Sequence, residues 1–218
     1  MLFLYDWTRK GMILMKLLYV DACVRGDASR TRRLAETFLE ECGKLLPGMT
    51  VVTQRLCEMD LRPIDAETLA MKEALCDRRA WDDSFLRAAV DFQSADAVVI
   101  AAPYWDLSFP SLLKVWVENV YVRNLTFRYE NDRCIGLCRG RESVYLTTAG
   151  SPIGENDWGA GYLRAVLTTL GIPGFTAVKA EALDLEGRNV EAIMAEAERR
   201  AVQAARELVA RLTVGASL

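Results

Sequence analysis

Ala95-Asp-Ala-Val-Val-Ile-Ala-Ala-Pro103 is made of small and β-branched residues and carries no charge after Asp96. A strand with one wet face alternates apolar and polar residues, and this stretch does not. It therefore reads as a strand buried on both faces, which is the habit of parallel sheets covered by helices on either side. Working outward, Lys16–Asp21, residues 50–56, Glu142–Thr148 and residues 175–182 have the same short, apolar or β-branched character. Helical spacing fills the intervals. Ser29 offers an N-cap ahead of Leu34, Phe38, Leu39, Leu45 and Leu46, and Pro47-Gly48 ends that run. Residues 65–94 are helical in propensity, with breaks near Asp77 and Asp82. Pro110 precedes Leu112, Leu113, Trp116, Val117 and Val120, and further helices are expected over 159–170 and 190–212. Residues 126–137, with Phe127, Tyr129 and a Glu-Asn-Asp turn, predict a small hairpin. Five strands alternating with helices predict an α/β fold with a five-stranded parallel sheet and helices on both faces.

Composition narrows the chemistry. Of 218 residues, 51% are hydrophobic and 26% charged, as in ordinary globular proteins, and the net charge is −3. No overall field draws the molecule to nucleic acid or anionic lipid. There is no histidine. Ser-His-Asp and Cys-His catalysis, imidazole metal sites and imidazole acid–base steps are all excluded, so any redox or transfer chemistry falls to a cofactor. Six dispersed cysteines with no CxxC predict free thiols in a reducing, cytoplasmic setting. Cys134 and Cys138 have no further ligands beside them, and no metal is expected. No apolar stretch approaches the length of a membrane span. In residues 1–14, Asp6, Arg9 and Lys10 interrupt a short apolar run, unlike a signal peptide. They read as an extension ahead of a single domain over 15–218.

Ligands of such folds bind outside the carboxyl ends of the strands, near the reversal in strand order. Three loops lie there. The first, residues 21–33, has neither GxGxxG nor a P-loop. It has Ser29-Arg30-Thr31 at a helix N-terminus, with Arg25, Arg32 and Arg33 around it. Two hydroxyls, free first-turn N–H groups and the helix dipole suit a phosphate monoester; the same residues equally suit a capped helix with a solvated basic face. The second, Pro103-Tyr-Trp-Asp-Leu-Ser-Phe-Pro110, packs three aromatics and two prolines into eight residues. It suits an apolar wall for a flat ring, or a satellite cluster or dimer surface. The third, Thr148-Ala-Gly-Ser151, is small enough for its backbone to approach a heterocycle. Together they point to a flat, phosphorylated cofactor.

These residues carry a resemblance. The stretch from Val99 through Tyr104 to Leu113-Lys114, followed by Thr126-Phe-Arg-Tyr129, is similar to the signature of the flavodoxin-like, FMN-dependent NAD(P)H oxidoreductases of the quinone reductase and azoreductase group. Ser29-Arg30-Thr31 resembles that family's Ser-x-Ser/Thr phosphate loop. The resemblance implies a flavodoxin-like fold, FMN as cofactor and NADH or NADPH as donor. It also implies ping-pong transfer to quinones, azo compounds or similar flat acceptors, and a homodimer. Ser29, Arg30 and Thr31 would then hold the phosphate. Pro103, Tyr104, Trp105, Asp106 and Leu107 would line the isoalloxazine, with Thr148, Ala149, Gly150 and Ser151 at its other edge. Phe127 and Tyr129 would shape the substrate cavity, partly from the neighbouring subunit. Two departures stand out: Asp106 where many azoreductases carry Asn, and Ala149 where they carry Arg. An ionised Asp106 near the flavin would lower its potential. The alternative is a flavodoxin-like FMN electron carrier without direct NAD(P)H chemistry, though flavodoxins tend to be shorter and more acidic.

Overall fold

The computed structural model describes residues 15–155 and 157–214, so the extension expected over 1–14 lies outside the described residues. Five strands form the main sheet: β1 (Lys16–Asp21), β2 (Thr50–Arg55), β3 (Ala97–Ala101), β6 (Glu142–Thr148) and β7 (Gly174–Ala180). All neighbours are parallel, in the order β2-β1-β3-β6-β7. The chain leaves β1 toward β2, then crosses back to β3 on the other side. This places the reversal between β1 and β3, where doubly wound sheets open a crevice. The short β4 (Phe127–Glu130) and β5 (Arg133–Gly136) form the expected antiparallel hairpin, turned by Asn131 and Asp132 in the left-handed region.

Every residue of β3 is buried, and its alternation serves two cores. Ala97, Val99 and Ala101 join Leu17, Tyr19, Val144 and Leu146 beneath α1 (Arg30–Leu45) and α6 (Val190–Val214). Val98 and Ile100 join Leu18, Val20 and Tyr145 on the opposite face. That face is covered by α2 (Ala66–Arg78), α3 (Arg87–Ser94), α4 (Ser111–Val120) and α5 (Trp158–Thr169). This two-sided burial is why the strand carries no polar alternation. Predicted and observed elements agree, with ends shifted by a residue or two. The last strand stops at Ala180 rather than 182, because Ala182 adopts φ 66°, outside extended backbone. Among the described residues no helix is long and apolar enough to cross a membrane. All six cysteines are unpaired.

Candidate functional site

An open cleft at the carboxyl ends of the strands encloses about 560 Å3, open solvent at its mouth included. Its walls come from four loops. Ser29 caps α1, its Oγ accepting from the Arg32 N–H at 3.3 Å. The first-turn N–H groups of Arg30 and Thr31 therefore remain outside the helical ladder, at the positive end of the dipole. Thr31 Oγ1 lies 2.6 Å from Thr148 Oγ1, tying the helix start to the loop after β6. Only one of two hydroxyl protons is spent between them, so the pair keeps one donor beside the cleft.

Backbone bonds stitch the floor together. Ala22 N–H donates to Ala101 O at 2.9 Å, and Tyr104 N–H to Thr148 O at 2.9 Å. Ala149 N–H donates to Ala180 O, while Leu183 and Asp184 donate back to Ala149 and Gly150. A Cβ on Gly150 would sit 2.3 Å from Asp184 Oδ2, so a side chain there would push aside the carboxylate that pairs with Arg30. The aromatic loop is shaped by a two-residue turn. Trp105 and Ser108 exchange both backbone bonds, at 3.2 and 2.8 Å, across Asp106 (φ 49°) and Leu107 (φ 66°). That is type I′ geometry built without glycine, and a left-handed leucine is strained. Phe109 anchors the turn against Tyr162, ring centroids 5.7 Å apart.

The cleft is lined by Ser29, Arg30, Thr31, Pro103, Tyr104, Trp105, Thr148, Ala149 and Gly150, nine of the residues expected there. Asp106, Leu107 and Ser151 are exposed just beyond its lining. Phe127 and Tyr129 are not brought to it. Phe127 is buried under the hairpin against Tyr121 at 4.6 Å, and Tyr129 is 71% exposed on the hairpin surface. Val24, Arg25, Leu183 and Asp184 complete the lining. Leu183 and Asp184 follow the last strand, so the carboxyl-end rule applied to a fourth loop would have found them.

The arginine cluster is less positive than its sequence suggests. Arg32 inserts between Asp21 (2.8 Å) and Asp27 (3.0 Å), with Asp21 only 1% exposed. Burial opposes its charge, but the two carboxylates outweigh burial and raise its pKa. Asp21 Oδ1 also accepts from Cys23 N–H at 2.9 Å, so the pair clamps the loop leading to the cleft. Arg33 turns away to Glu191 (2.9 Å) and Glu198 (2.6 Å) on α6, and Arg30 pairs with Asp184 at 2.8 Å. Cys23 is buried, and burial pushes its thiol well above the ordinary range. Among the described residues no cluster of acidic or thiol side chains is placed to hold a metal ion.

Comparison with known proteins agrees with this geometry. The sequence profile of a family described by its flavodoxin-like fold matches residues 15–205. An FMN-dependent NADH:quinone oxidoreductase 2 of Clostridium acetobutylicum is 32% identical over 198 residues, spanning 88% of this chain and 98% of that protein. An FMN-dependent NADH:quinone oxidoreductase of Clostridium perfringens is 30% identical over 195 residues, with the same coverage. Among solved structures, an FMN-dependent NADH-azoreductase of Bacillus anthracis in complex with FMN shares the fold. Its TM-score is 0.79 at 22% identity, covering 89% of this chain and 99% of that one. Strand order, cleft position and sequence thus converge: the chain belongs to the flavodoxin-like family, in the group of the FMN-dependent NADH:quinone oxidoreductases.

Proposed function

We propose that the cleft holds FMN and that the protein carries reducing equivalents from NADH or NADPH to quinones, azo compounds or similar flat acceptors. One observation carries this reading. A helix N-terminus, an aromatic loop and a tightly closed glycine-bearing loop meet in one cleft at the reversal in strand order. The names of the relatives support it. The residues fit the group: N–H donors and a spare hydroxyl for a phosphate, and a mixed aromatic and backbone slot for a ring.

When held in the cleft, FMN would supply the two-electron redox chemistry between nicotinamide and acceptor, which requires neither a protein nucleophile nor histidine. The chain's own work is placement. Ser29, Arg30 and Thr31 would hold the phosphate at the α1 N-terminus, where dipole and N–H groups favour an anion. Pro103, Tyr104 and Trp105 would wall the ring and exclude water, with Asp106 and Leu107 at the rim. Thr148, Ala149, Gly150 and Ser151 would present backbone donors along the other edge. Phe127 and Tyr129 lie outside this cleft, so their assignment to the substrate cavity rests on a homodimer in which a second copy brings them near. The reading takes residues 15–218 as one domain with 1–14 as an extension. It places the protein in the cytoplasm, in keeping with six free thiols.

Steady-state kinetics tests the reading. FMN-supplemented protein is expected to oxidise NADH with a quinone and with an azo dye, giving parallel double-reciprocal lines as each substrate is varied. Lines that intersect would overturn the ping-pong order, and absence of turnover with either acceptor would overturn the activity.

A further inference from the structure

Four arginines lie within residues 25–33, and the structure separates them by what they touch. Arg30 is paired with Asp184, Arg32 with Asp21 and Asp27, and Arg33 with Glu191 and Glu198. Each of these charges is already met by a carboxylate. Arg25 differs: it lines the cleft, is exposed, and forms no ion pair among the described residues. Its backbone is held, since its carbonyl accepts from Ala28 N–H at 3.2 Å at the start of the 3-10 turn Gly26–Ala28. Asp27, the acidic residue of that turn, is engaged by Arg32 and so withdrawn from Arg25.

We infer that Arg25 is the residue whose charge discriminates phosphorylated from unphosphorylated flavin, while Arg30, neutralised by Asp184, adds little. The inference rests on the FMN reading above. A phosphate monoester is close to a dianion at neutral pH, and half a charge from the helix dipole does not balance it. The formal charge of the cleft's ionic side chains, Arg25, Arg30 and Asp184, sums to one positive unit, and the unpaired unit is Arg25. An arginine's fork suits phosphate oxygens, and a charge-assisted bond of this kind is worth about tenfold or more in affinity.

The test compares FMN with riboflavin, which lacks the phosphate, by quenching of flavin fluorescence on the full-length protein. For Arg25→Gln, FMN affinity is expected to fall about tenfold while riboflavin affinity changes less than about twofold. Arg25→Lys should recover part of the loss by restoring the charge. Arg30→Gln should weaken FMN by less than about threefold, the scale of an exposed ion pair. Arg33→Gln, whose partners lie on α6, should leave both affinities unchanged. Equal losses for FMN and riboflavin in Arg25→Gln, or no loss for either, would overturn the inference while leaving the FMN reading intact. So would an Arg30→Gln loss larger than that of Arg25→Gln. If Arg25→Gln instead raises the KM for NADH with FMN affinity intact, Arg25 serves the donor's phosphates and the assignment is wrong. A wild-type protein that binds no FMN would overturn both the reading and the inference.

Discussion

The loop after β1 and the loop after β3 face each other across one cleft, yet opposite means hold them in shape. Residues 22–29 are fixed by charge: Arg32 bridges Asp21 and Asp27, Asp21 receives the Cys23 N–H, and Ser29 caps the helix. Residues 104–109 are fixed by sterics: a type I′ turn through two non-glycine residues, with Phe109 seated on Tyr162. The first solution leaves the α1 N-terminal N–H donors and Arg25 facing the cleft. The second holds Trp105 at the cleft on a turn strained by a left-handed leucine.

Removing the clamp is the most severe way to break the comparison. Arg32→Met leaves Asp21 buried without its counter-ion, and we expect a loss of about 3 kcal/mol in urea unfolding. The same variant should speed alkylation of Cys23, whose burial and raised pKa make it inert while the loop is closed. Exposed Cys57 gives the reference rate. If Cys23 in the variant remains as slow as in wild type, the ion pair does not hold the loop.

The second expectation concerns pH. Cys42, on the buried face of α1, is pushed up to about 12 by burial and by neighbouring Glu41. Its folded pKa exceeds the unfolded value of 9.0, so the unfolded chain sheds its proton first and stability declines as pH rises from about 9 toward 12. Between pH 8 and 10 this one thiol contributes roughly 1 kcal/mol, and Cys42→Ala should lessen the decline by about that amount, leaving the same-signed contributions of buried Cys23 and Cys138. The β3–α4 segment has no cysteine, and its contribution of the same sign comes only at higher pH, from Tyr121 at the end of α4, which burial pushes from 10.0 up to about 12.

Relief of strain gives a smaller effect of opposite sign. Leu107→Gly should stabilise by up to about 1 kcal/mol, since glycine adopts φ 66° without penalty. A thermal melt checks it, and destabilisation would mean that the exposed leucine packs against something in solution. Smallest of all is Asp106→Asn, expected to change stability by a few tenths of a kcal/mol, because both residues tolerate the left-handed region. Asp106 is exposed beyond the cleft lining, so solvent screens it. The flavin midpoint potential should rise in this variant, but slightly; an unmoved potential would remove Asp106 from the flavin's electrostatics.

What sequence made legible follows the same division. Strands such as β3 and β6 announce themselves because double burial demands continuous apolar residues, and Ser29 because capping is local chemistry. The turn at Asp106-Leu107 was not legible, since type I′ geometry normally signals itself with Asn or Gly. Ala182 hid its positive φ for the same reason. Nor could spacing show that Arg33 belongs to Glu191 and Glu198, more than 150 residues away, or that Asp184 quenches Arg30. Those pairings are set when α6 and the last loop dock on α1. The four arginines, alike in sequence, thereby become four different groups. Phe127 and Tyr129 illustrate the same limit: adjacent on one strand face, one is buried and the other exposed.

The most direct test of the proposed cofactor cleft is an anaerobic titration of FMN-loaded protein with NADH, followed in the visible spectrum. The expected result is about one FMN retained per chain, with its absorption band bleached stoichiometrically by NADH. Bound flavin that neither NADH nor NADPH bleaches would contradict the oxidoreductase account and leave an electron carrier. Failure to retain FMN would contradict the cleft's assignment altogether.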